Sequence, residues 1–247
     1  MRTIATYSIK GGVGKTTSAV NLADEAARSG ARVLLWDLDP QGATTFFLRV
    51  KPAVKGGAER LIGKKGALAD SVRATDIAGL HLVPADFSFR HLDLHLDDTK
   101  RPTKRLAALL DPLADRYDLA ILDCAPGMTL TSESVFAAVD ALLVPTIPTT
   151  LSKRTLSQLA EFLAESTDRP RVLPCASMVD RRKKLHRELV EEYLEREPGF
   201  LRTVIPNASI VERMGVEHAP VSRLAPRSAA ARAYADLWGE VAERIWT

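Results

Sequence analysis

Two lysines flank a glycine-rich segment near the start of the chain. Residues 8–17 read Ser-Ile-Lys-Gly-Gly-Val-Gly-Lys-Thr-Thr. The glycines allow consecutive backbone N–H groups to turn toward one point, which is how proteins hold a phosphate chain. In such a loop Lys15 contacts the β- and γ-phosphates, and the Thr16 hydroxyl is a ligand for Mg²⁺. The predicted nucleotide-contacting residues here are Gly11, Gly12, Val13, Gly14, Lys15, Thr16 and Thr17.

The spacing departs from the usual phosphate-binding loop G-x-x-x-x-G-K-[ST], because Ile9 occupies the place of the first glycine. Lys10 stands at the loop entrance instead, and the standard loop has no function for a second lysine. A glycine-rich turn with incidental lysines is the alternative interpretation. The flanking residues favour the phosphate loop, because residues 2–8 are strand-like and residues 17–28 show helical apolar spacing that ends at Gly30.

Two acidic motifs follow predicted strands. Asp37-Leu-Asp39-Pro-Gln-Gly42 closes the second strand, and Asp123-Cys-Ala-Pro-Gly127 follows an apolar run. Carboxylates at the carboxyl ends of parallel strands face the crevice where ligands bind. An aspartate at a strand end is usually only a loop residue, but the upstream phosphate loop makes Asp123 a candidate Mg²⁺ ligand of the Walker-B kind. Gly127 could offer a backbone N–H to the γ-phosphate.

Two later strand ends are weaker candidates for contacts with a nucleotide base. They are the segments Ser177-Met178-Val179-Asp180 and Thr203-Val-Ile-Pro206-Asn207. Because the strand ends of a parallel sheet share one edge, Met178 and Pro206 are predicted to flank the base.

The composition indicates a globular protein with a substantial core. The 247 residues are 46% hydrophobic and 26% charged, and residues 1–247 are predicted to form a single α/β domain. We expect neither a secretory signal nor a bilayer-spanning helix. Cys124 and Cys175 lie in apolar stretches and fit reduced thiols, so a cytoplasmic location is expected.

Continuous apolar runs alternate with helical stretches. This alternation predicts a doubly wound, mostly parallel sheet with helices on both faces. The predicted strands are near 2–8, 32–37, 80–84, 118–123, 140–145, 172–178 and 202–205. The predicted helices are 17–28, 101–115, 130–138, 152–165, 182–196 and 228–245. Residues 51–66, rich in Lys and Gly, are predicted to be an exposed loop.

The basic residues are unevenly distributed. The net charge is only +3, but the segment from Arg169 to Arg187 holds seven Lys and Arg residues and one acid, Asp180. Such a block suggests a surface for a polyanion, and a solvated turn is the alternative.

These motifs together resemble the ParA/MinD family of P-loop ATPases, which has a deviant Walker A loop and a SIMIBI-type fold. The resemblance extends over almost the whole chain, through Thr-Val-Ile-Pro206 to the closing Ala-Pro-Arg-Ser-Ala-Ala-Ala-Arg-Ala-Tyr. It implies ATP and Mg²⁺ as cofactors, a homodimer bridged by ATP, and weak Mg-dependent hydrolysis. It also implies a separate cargo-adaptor protein that stimulates hydrolysis.

The resemblance also assigns roles to single residues. Lys10, Lys15 and Asp39 become the catalytic residues: Lys10 reaches the partner's nucleotide, Lys15 contacts its own, and Asp39 orients the attacking water. Thr16 and Asp123 become the metal ligands, and Pro206 lines the adenine pocket.

The ParA-like branch of the family binds non-specific DNA and moves a cargo, such as a plasmid, a chromosome region or a protein assembly, over the nucleoid. The residues predicted to contact DNA are Arg181, Arg182, Lys183, Lys184 and Arg213. One family arginine is replaced here by Asn207, and Arg213 is the expected substitute.

Two alternatives remain open. A MinD-like protein would end in a basic amphipathic membrane helix, whereas residues 228–246 are slightly acidic and show ordinary core spacing, so no membrane partner is expected. Trp246 is a candidate interfacial anchor, but one terminal Trp is weak evidence for membrane binding. A metabolic ligase on the same fold is the other alternative, and its ATP turnover would ignore DNA.

Overall fold

Buried strands follow the apolar runs of the sequence. The computed structural model describes residues 1–63, 67–166, 169–197 and 199–246. The strands are β1 (Arg2–Thr6), β2 (Val33–Asp37), β3 (Arg73–Ala74), β4 (Leu80–Val83), β5 (Leu119–Asp123), β6 (Ala141–Thr146), β7 (Arg171–Val179) and β8 (Val204–Pro206).

Within the described residues these strands form one sheet of eight, in the order β3-β4-β2-β5-β1-β6-β7-β8. Every pairing is parallel except that between β3 and β4. The chain therefore winds outward in both directions from β1, and the prediction of a doubly wound, mostly parallel sheet is confirmed.

Helices cover both faces of the sheet. They are α1 (Lys15–Arg28), α2 (Ala43–Phe47), α3 (Gly57–Ile62), α4 (Leu92–Asp97), α5 (Arg105–Leu110), α6 (Leu130–Phe136), α7 (Thr150–Glu165), α8 (Lys184–Arg196), α9 (Ser209–Glu212), α10 (Met214–Glu217), α11 (Val221–Leu224) and α12 (Ala229–Trp246). Short 3₁₀ turns occur at Leu68–Ser71, Phe87–His91, Pro102–Lys104 and Asp111–Leu113.

Alternate residues of each central strand enter two different cores. Ile4 and Leu35 pack with α1 and α12 on one face, whereas Ala5 and Trp36 pack with α3, α5, α6 and α7 on the other. All five residues of β2 are buried. Burial on both faces explains why these strands read as continuous apolar runs.

The prediction of an exposed loop over residues 51–66 is confirmed for residues 51–56, apart from buried Val54, and is wrong for residues 57–62. Residues 57–62 form α3, and the side chains of Val54, Leu61 and Ile62 are buried against the core. Two glycines at the start of α3 conceal this pattern, and Gly56 adopts a left-handed φ of 78° there. Residues 64–66 lie outside the described part.

The predicted helix 101–115 is interrupted. Only Arg105–Leu110 is α-helical, and a 3₁₀ turn stands on each side of it. Pro102 and Pro112 lie in these turns, and proline cannot donate the backbone hydrogen bond that a continuous helix requires. The helix α4, which the sequence reading did not predict, lies just before this region.

No helix in the described ranges has the length and apolarity needed to cross a bilayer. The thiols of Cys124 and Cys175 are both buried and unpaired, and burial raises the pKa of each.

Candidate functional site

The glycine loop joins β1 to the N-terminus of α1, as the sequence predicts. Gly12 and Gly14 have left-handed φ values of 71° and 94°, which residues with a Cβ rarely adopt. A Cβ added at Gly14 would lie 2.9 Å from the Ser177 hydroxyl oxygen. Gly14 also caps α1 without a side-chain hydrogen bond. The first backbone N–H groups of α1 thus remain open to an anion.

The two lysines of the loop have different environments. Lys15 is buried, and its Nζ donates a hydrogen bond to the Lys10 carbonyl oxygen at 3.1 Å. Burial lowers the pKa of Lys15, and the nearby charge of Asp123 opposes that shift. Lys10 is half-buried, and its ammonium makes no ion pair with an acidic side chain in the described ranges. Among the described contacts, the Lys15 ammonium is thus the one of the two that has a hydrogen-bond partner within the loop.

Asp123 is completely buried at the end of β5, directly beside Thr6 of β1 in the strand register. Its two carboxylate oxygens accept hydrogen bonds from the hydroxyls of Thr6 at 3.0 Å and Thr44 at 2.8 Å. Burial raises the pKa of Asp123, while the threonine hydroxyls and Lys15 lower it. The carboxylate is thus oriented before any ligand arrives.

A second buried carboxylate, Asp37, lies beside Asp123 in the register of β2 and β5. It accepts hydrogen bonds from the backbone N–H of Thr45 at 2.8 Å and from the Thr45 hydroxyl at 2.7 Å. Burial, and next the charge of Asp123, raise the pKa of Asp37 to about 7. Two adjacent buried carboxyl groups create a negative potential that favours a cation.

Asp39 lies two residues beyond β2 and is half-buried. One of its carboxylate oxygens accepts the Gln41 N–H at 2.9 Å, and its carbonyl accepts the Gly42 N–H at 2.9 Å. These bonds form the tight turn that Pro40 and Gly42 predict. Asp39 therefore occupies the same sheet edge as Asp123 and the glycine loop.

The donor set at this edge fits Mg²⁺ and a nucleotide. Mg²⁺ prefers oxygen ligands and is usually held by one or two protein groups together with substrate phosphates. Thr16 and Asp123 supply a hydroxyl and a carboxylate of that kind. Within the described ranges no group of three or more His, Cys, Asp or Glu forms an alternative metal cluster.

Gly127 is anchored by a residue that the sequence reading missed. The Tyr7 hydroxyl donates to the Gly127 carbonyl at 2.9 Å, and the Tyr7 ring packs edge-on against Phe136 at 4.8 Å. Gly127 has a φ of 107°, which requires glycine. A buried tyrosine hydroxyl needs a hydrogen-bond partner, so a tyrosine directly after the first strand was the feature of the sequence that could have indicated this contact.

The structure brings the two later strand ends to the same edge. Ser177 lies against Gly14, and Met178 has a left-handed φ of 54° where the register of β7 and β8 shifts. Pro206 is the register partner of Val179 at the end of β8. The predicted base contacts thus lie at the ends of adjacent strands, with Ser177 touching the loop directly.

The C-terminal segment fastens α1. The Asn21 side chain donates to the Thr17 carbonyl at 2.7 Å and accepts the Val221 N–H at 2.8 Å. One turn later, buried Asp24 accepts hydrogen bonds from Arg223 Nε at 2.7 Å and from the Ser222 hydroxyl. These bonds fix the helix whose N-terminus faces the phosphate site.

The predicted DNA-contacting residues are all exposed, but three of the five are paired with acids. Arg182 makes a bidentate contact with Asp180 at 2.9 Å for each bond. Lys184 pairs with Glu188 at 3.4 Å, and Arg213 pairs with Glu217 at 2.5 Å. Hydrogen bonding to Arg182 lowers the pKa of Asp180 to about 2. The surface is therefore less positive than the basic block suggests.

Comparisons of sequence identify relatives over most of the chain. Residues 1–172 match the AAA domain family AAA_31. The sporulation initiation inhibitor protein Soj of Bacillus subtilis is 31% identical over 247 aligned residues, which cover 97% of each protein. The chromosome partitioning protein ParA of Caulobacter vibrioides is 33% identical over 149 residues, or 59% of this chain and 55% of that protein.

Solved structures share the fold. The cell division ATPase MinD of Pyrococcus furiosus has a TM-score of 0.80 at 23% identity, with 98% of each chain covered. The McdA–ATP complex of Cyanothece gives 0.82 at 23% identity, with coverage of 98% and 95%. Cobyrinic acid a,c-diamide synthase of Mycobacterium smegmatis, bound to an ATP analog and magnesium, gives 0.79 at 24% identity, with coverage of 97% and 93%.

The similarities to solved structures are evidence for the fold alone, whereas the sequence matches also establish the family. The matched domain spans well over half of the chain, and the similarity to Soj extends over nearly its full length. This protein belongs to the ParA/MinD-like family of P-loop ATPases.

Proposed function

We propose that this protein is an ATP hydrolase that dimerises around ATP, binds non-specific DNA as the ATP dimer and positions a cargo over the nucleoid. Mg-dependent hydrolysis, stimulated by a separate adaptor protein, returns it to the monomer. The observation that carries the proposal is Lys10. Lys10 stands at the entrance of the glycine loop, is half-buried and makes no ion pair with an acid among the described residues, whereas the Lys15 ammonium is held inside the loop by the Lys10 carbonyl.

The chain's own residues supply positioning and charge, which is most of what phosphoryl transfer to water requires. Gly11 to Thr17 hold the phosphates through backbone N–H groups, and Lys15 adds a fixed positive charge. Asp123 and Thr16 would hold Mg²⁺, which would neutralise charge on the phosphates when bound. The Asp39 carboxylate orients the attacking water, and Lys10 of one subunit acts on the nucleotide of the other.

Two observations favour this function over its alternatives. The MinD-like alternative needs an exposed membrane-binding C-terminal helix, but the apolar stripe of α12 is buried in the core. Trp246 is 46% exposed, and its ring packs edge-on against Trp238 at 5.6 Å. The ligase alternative is supported by a likeness of fold alone, to the synthase structure at 24% identity. By contrast, the nearly full-length relative Soj and the partitioning protein ParA are related in sequence.

The decisive experiment measures ATP turnover and DNA binding together. We expect the protein to bind a non-specific DNA duplex with ATP and Mg²⁺ but not with ADP, and expect DNA to change its ATPase rate. Binding should weaken steeply with added salt, because phosphate contacts release counterions. If DNA neither binds in the presence of ATP nor alters turnover, the positioning function is wrong and the ligase alternative is favoured.

The variant Asp39→Ala tests the catalytic assignment. It should still bind ATP and dimerise, because Asp39 contacts neither Lys15 nor Asp123 through a described hydrogen bond. Its steady-state ATPase rate should fall by roughly a hundredfold or more, in the range expected for loss of a positioned general base. Turnover equal to that of the unaltered protein would remove Asp39 from the mechanism.

A further inference from the structure

A buried tyrosine hydroxyl connects the end of β1 with the turn that follows β5. Tyr7 is the first residue after β1 and stands directly before the glycine loop, and its side chain is completely buried. Its hydroxyl donates to the Gly127 carbonyl at 2.9 Å, although 120 residues of sequence separate the two. Its own backbone N–H donates to the Leu143 carbonyl of β6 at 2.9 Å. The donor of the Gly127 contact is therefore fixed to the sheet.

The turn that contains Gly127 has few other restraints. It spans residues 125–128, between the end of β5 and Thr129, the N-cap of α6. Among the residues that the structure describes, the bond from Tyr7 is the one hydrogen bond to this turn. Gly127 has a left-handed φ of 107°, and glycine has the widest choice of backbone conformations. The Tyr7 hydroxyl thus restricts a turn whose own residues leave it several conformations.

The surroundings of Tyr7 keep its hydroxyl in the donating form. Burial raises the pKa of Tyr7, and the neighbouring Ser132 hydroxyl opposes that shift only in part. A protonated phenol donates one hydrogen bond, and the Gly127 carbonyl receives it. The edge-on packing of the ring against Phe136, with 4.8 Å between the ring centroids, holds the direction of the hydroxyl. The bond therefore persists throughout the neutral pH range.

We propose that Tyr7 is a positioning residue for ATP hydrolysis and that it acts through Gly127. The inference rests on the proposed function and on the predicted contact of the Gly127 N–H with the γ-phosphate. Phosphoryl transfer depends on donors that are aimed beforehand at the phosphoryl oxygens, because such donors need no reorganisation during the reaction. By fixing the carbonyl of Gly127, Tyr7 limits the directions that the N–H of the same residue can take. Loss of the hydroxyl should therefore lower the rate rather than the affinity for ATP, which the glycine loop and Lys15 supply.

The test is Tyr7→Phe, which keeps the ring and its packing and removes only the hydroxyl. The kcat for ATP should fall about three- to tenfold, the range of one ordinary hydrogen bond. The KM and the affinity for a slowly hydrolysed ATP analogue should stay within twofold, because the lost interaction acts in the transition state. The NMR order parameter of the Gly127 amide should also fall, which reports the loosened turn without any turnover.

Tyr193→Phe is the matched control. Tyr193 is also buried, and its ring stacks on Phe200 at 4.8 Å, but its hydroxyl has no hydrogen-bond partner in the described part of the chain. This variant should leave kcat, KM and the Gly127 order parameter unchanged.

Three results would overturn the inference and leave the proposed function standing. They are an unchanged kcat in Tyr7→Phe, an equal loss of kcat in Tyr193→Phe, and a loss of kcat in Tyr7→Phe that is matched by lost analogue affinity or by an unfolded circular dichroism spectrum. If instead the unaltered protein binds the analogue but does not hydrolyse ATP, the proposed function is wrong, and the inference that rests on it is wrong as well.

Discussion

Two charged regions of the molecule hold their charges in opposite ways. One is the sheet edge that carries the glycine loop, Asp37, Asp39 and Asp123, called here the nucleotide edge, and the other is the basic segment 181–184. At the nucleotide edge, Asp123 and Asp37 are buried, and each has threonine donors at fixed distances. In the basic segment the side chains are exposed, and Arg182 is held by Asp180, a residue two positions away. Buried charges need partners that the fold supplies, whereas exposed charges can exchange a neighbour for a ligand.

This difference separates two kinds of binding. The nucleotide edge is prearranged, so a ligand there gains the full value of fixed donors and charges. In the basic segment, Arg182 and Lys184 must first break their ion pairs with Asp180 and Glu188. The affinity for a polyanion therefore depends on how well it competes with these two carboxylates. Removing a hydrogen-bond donor from a buried carboxylate should therefore lower the stability of the nucleotide edge. Removing an acid from the basic segment should instead increase its affinity for a polyanion.

The largest effect is expected from Lys15→Ala. In the proposed function the buried Lys15 ammonium contacts the phosphates, so its removal should lower the affinity for ATP about a hundredfold, since a charged hydrogen bond contributes about 3 kcal/mol. Calorimetric titration of the monomer with Mg-ATP measures it. Lys10→Ala, the same substitution five residues earlier, should bind ATP almost normally as a monomer. Equal losses in both variants would contradict the different functions of the two lysines.

Thr44→Val should have an intermediate effect. It leaves one oxygen of buried Asp123 without its donor, which should lower the free energy of unfolding by about 1–3 kcal/mol. Because the hydroxyl stabilises the ionised carboxylate, its loss raises the pKa of Asp123 further, and the destabilisation should grow as the pH rises.

Urea denaturation at pH 5 and pH 8 measures this prediction. Thr146→Val is the matched control, since Thr146 is also a buried strand threonine but donates only to the Val144 carbonyl. If the control is destabilised as much as Thr44→Val, with the same dependence on pH, then the carboxylate does not rely on Thr44.

The smallest effect is expected at the basic segment. Asp180→Asn should strengthen DNA binding severalfold at moderate salt, because Arg182 then has no competing carboxylate. Arg182→Gln should reduce the slope of log affinity against log salt by about one. In that variant the pKa of Asp180, about 2 in the unaltered protein, should rise toward its ordinary range.

Filter binding over a salt series and an NMR titration of Asp180 check these outcomes. Arg73→Gln, an exposed arginine on β3 at the opposite edge of the sheet, should leave both unchanged. A salt slope unaffected by Arg182→Gln would remove Arg182 from the DNA surface.

The sheet and the outline of the nucleotide edge could be predicted because local patterns determine them. Continuous apolar runs such as β2 indicate burial on both faces, and Gly14 and Asp123 lie in motifs whose spacing carries chemistry. The partners of these motifs could not be predicted in the same way. Thr44 meets Asp123 across 79 residues of sequence, and only the strand order brings them together.

The errors in the prediction also have physical causes. Gly56 and Gly57 suggested a loop, but the burial of Leu61 and Ile62 against the core stabilises α3 despite the low helix propensity of glycine. The ion pair of Arg182 with Asp180 was missed for another reason. The prediction considered the summed charge of the basic run, whereas a single adjacent acid, Asp180, can form an ion pair with a nearby arginine.

The fastening of α1 by the C-terminal segment has a consequence for how the protein is made. Asp24 precedes its hydrogen-bond partner Ser222 by 198 residues in the sequence, so it is synthesised well before that partner. At about 5–20 residues per second, synthesis of that interval takes roughly 10–40 s. Until then the Asp24 carboxylate stays hydrated, and the helix behind the phosphate loop lacks its outer support. The outer support of α1 is thus complete only after Arg223 has been synthesised, so the helix behind the glycine loop is packed late in the synthesis of this domain.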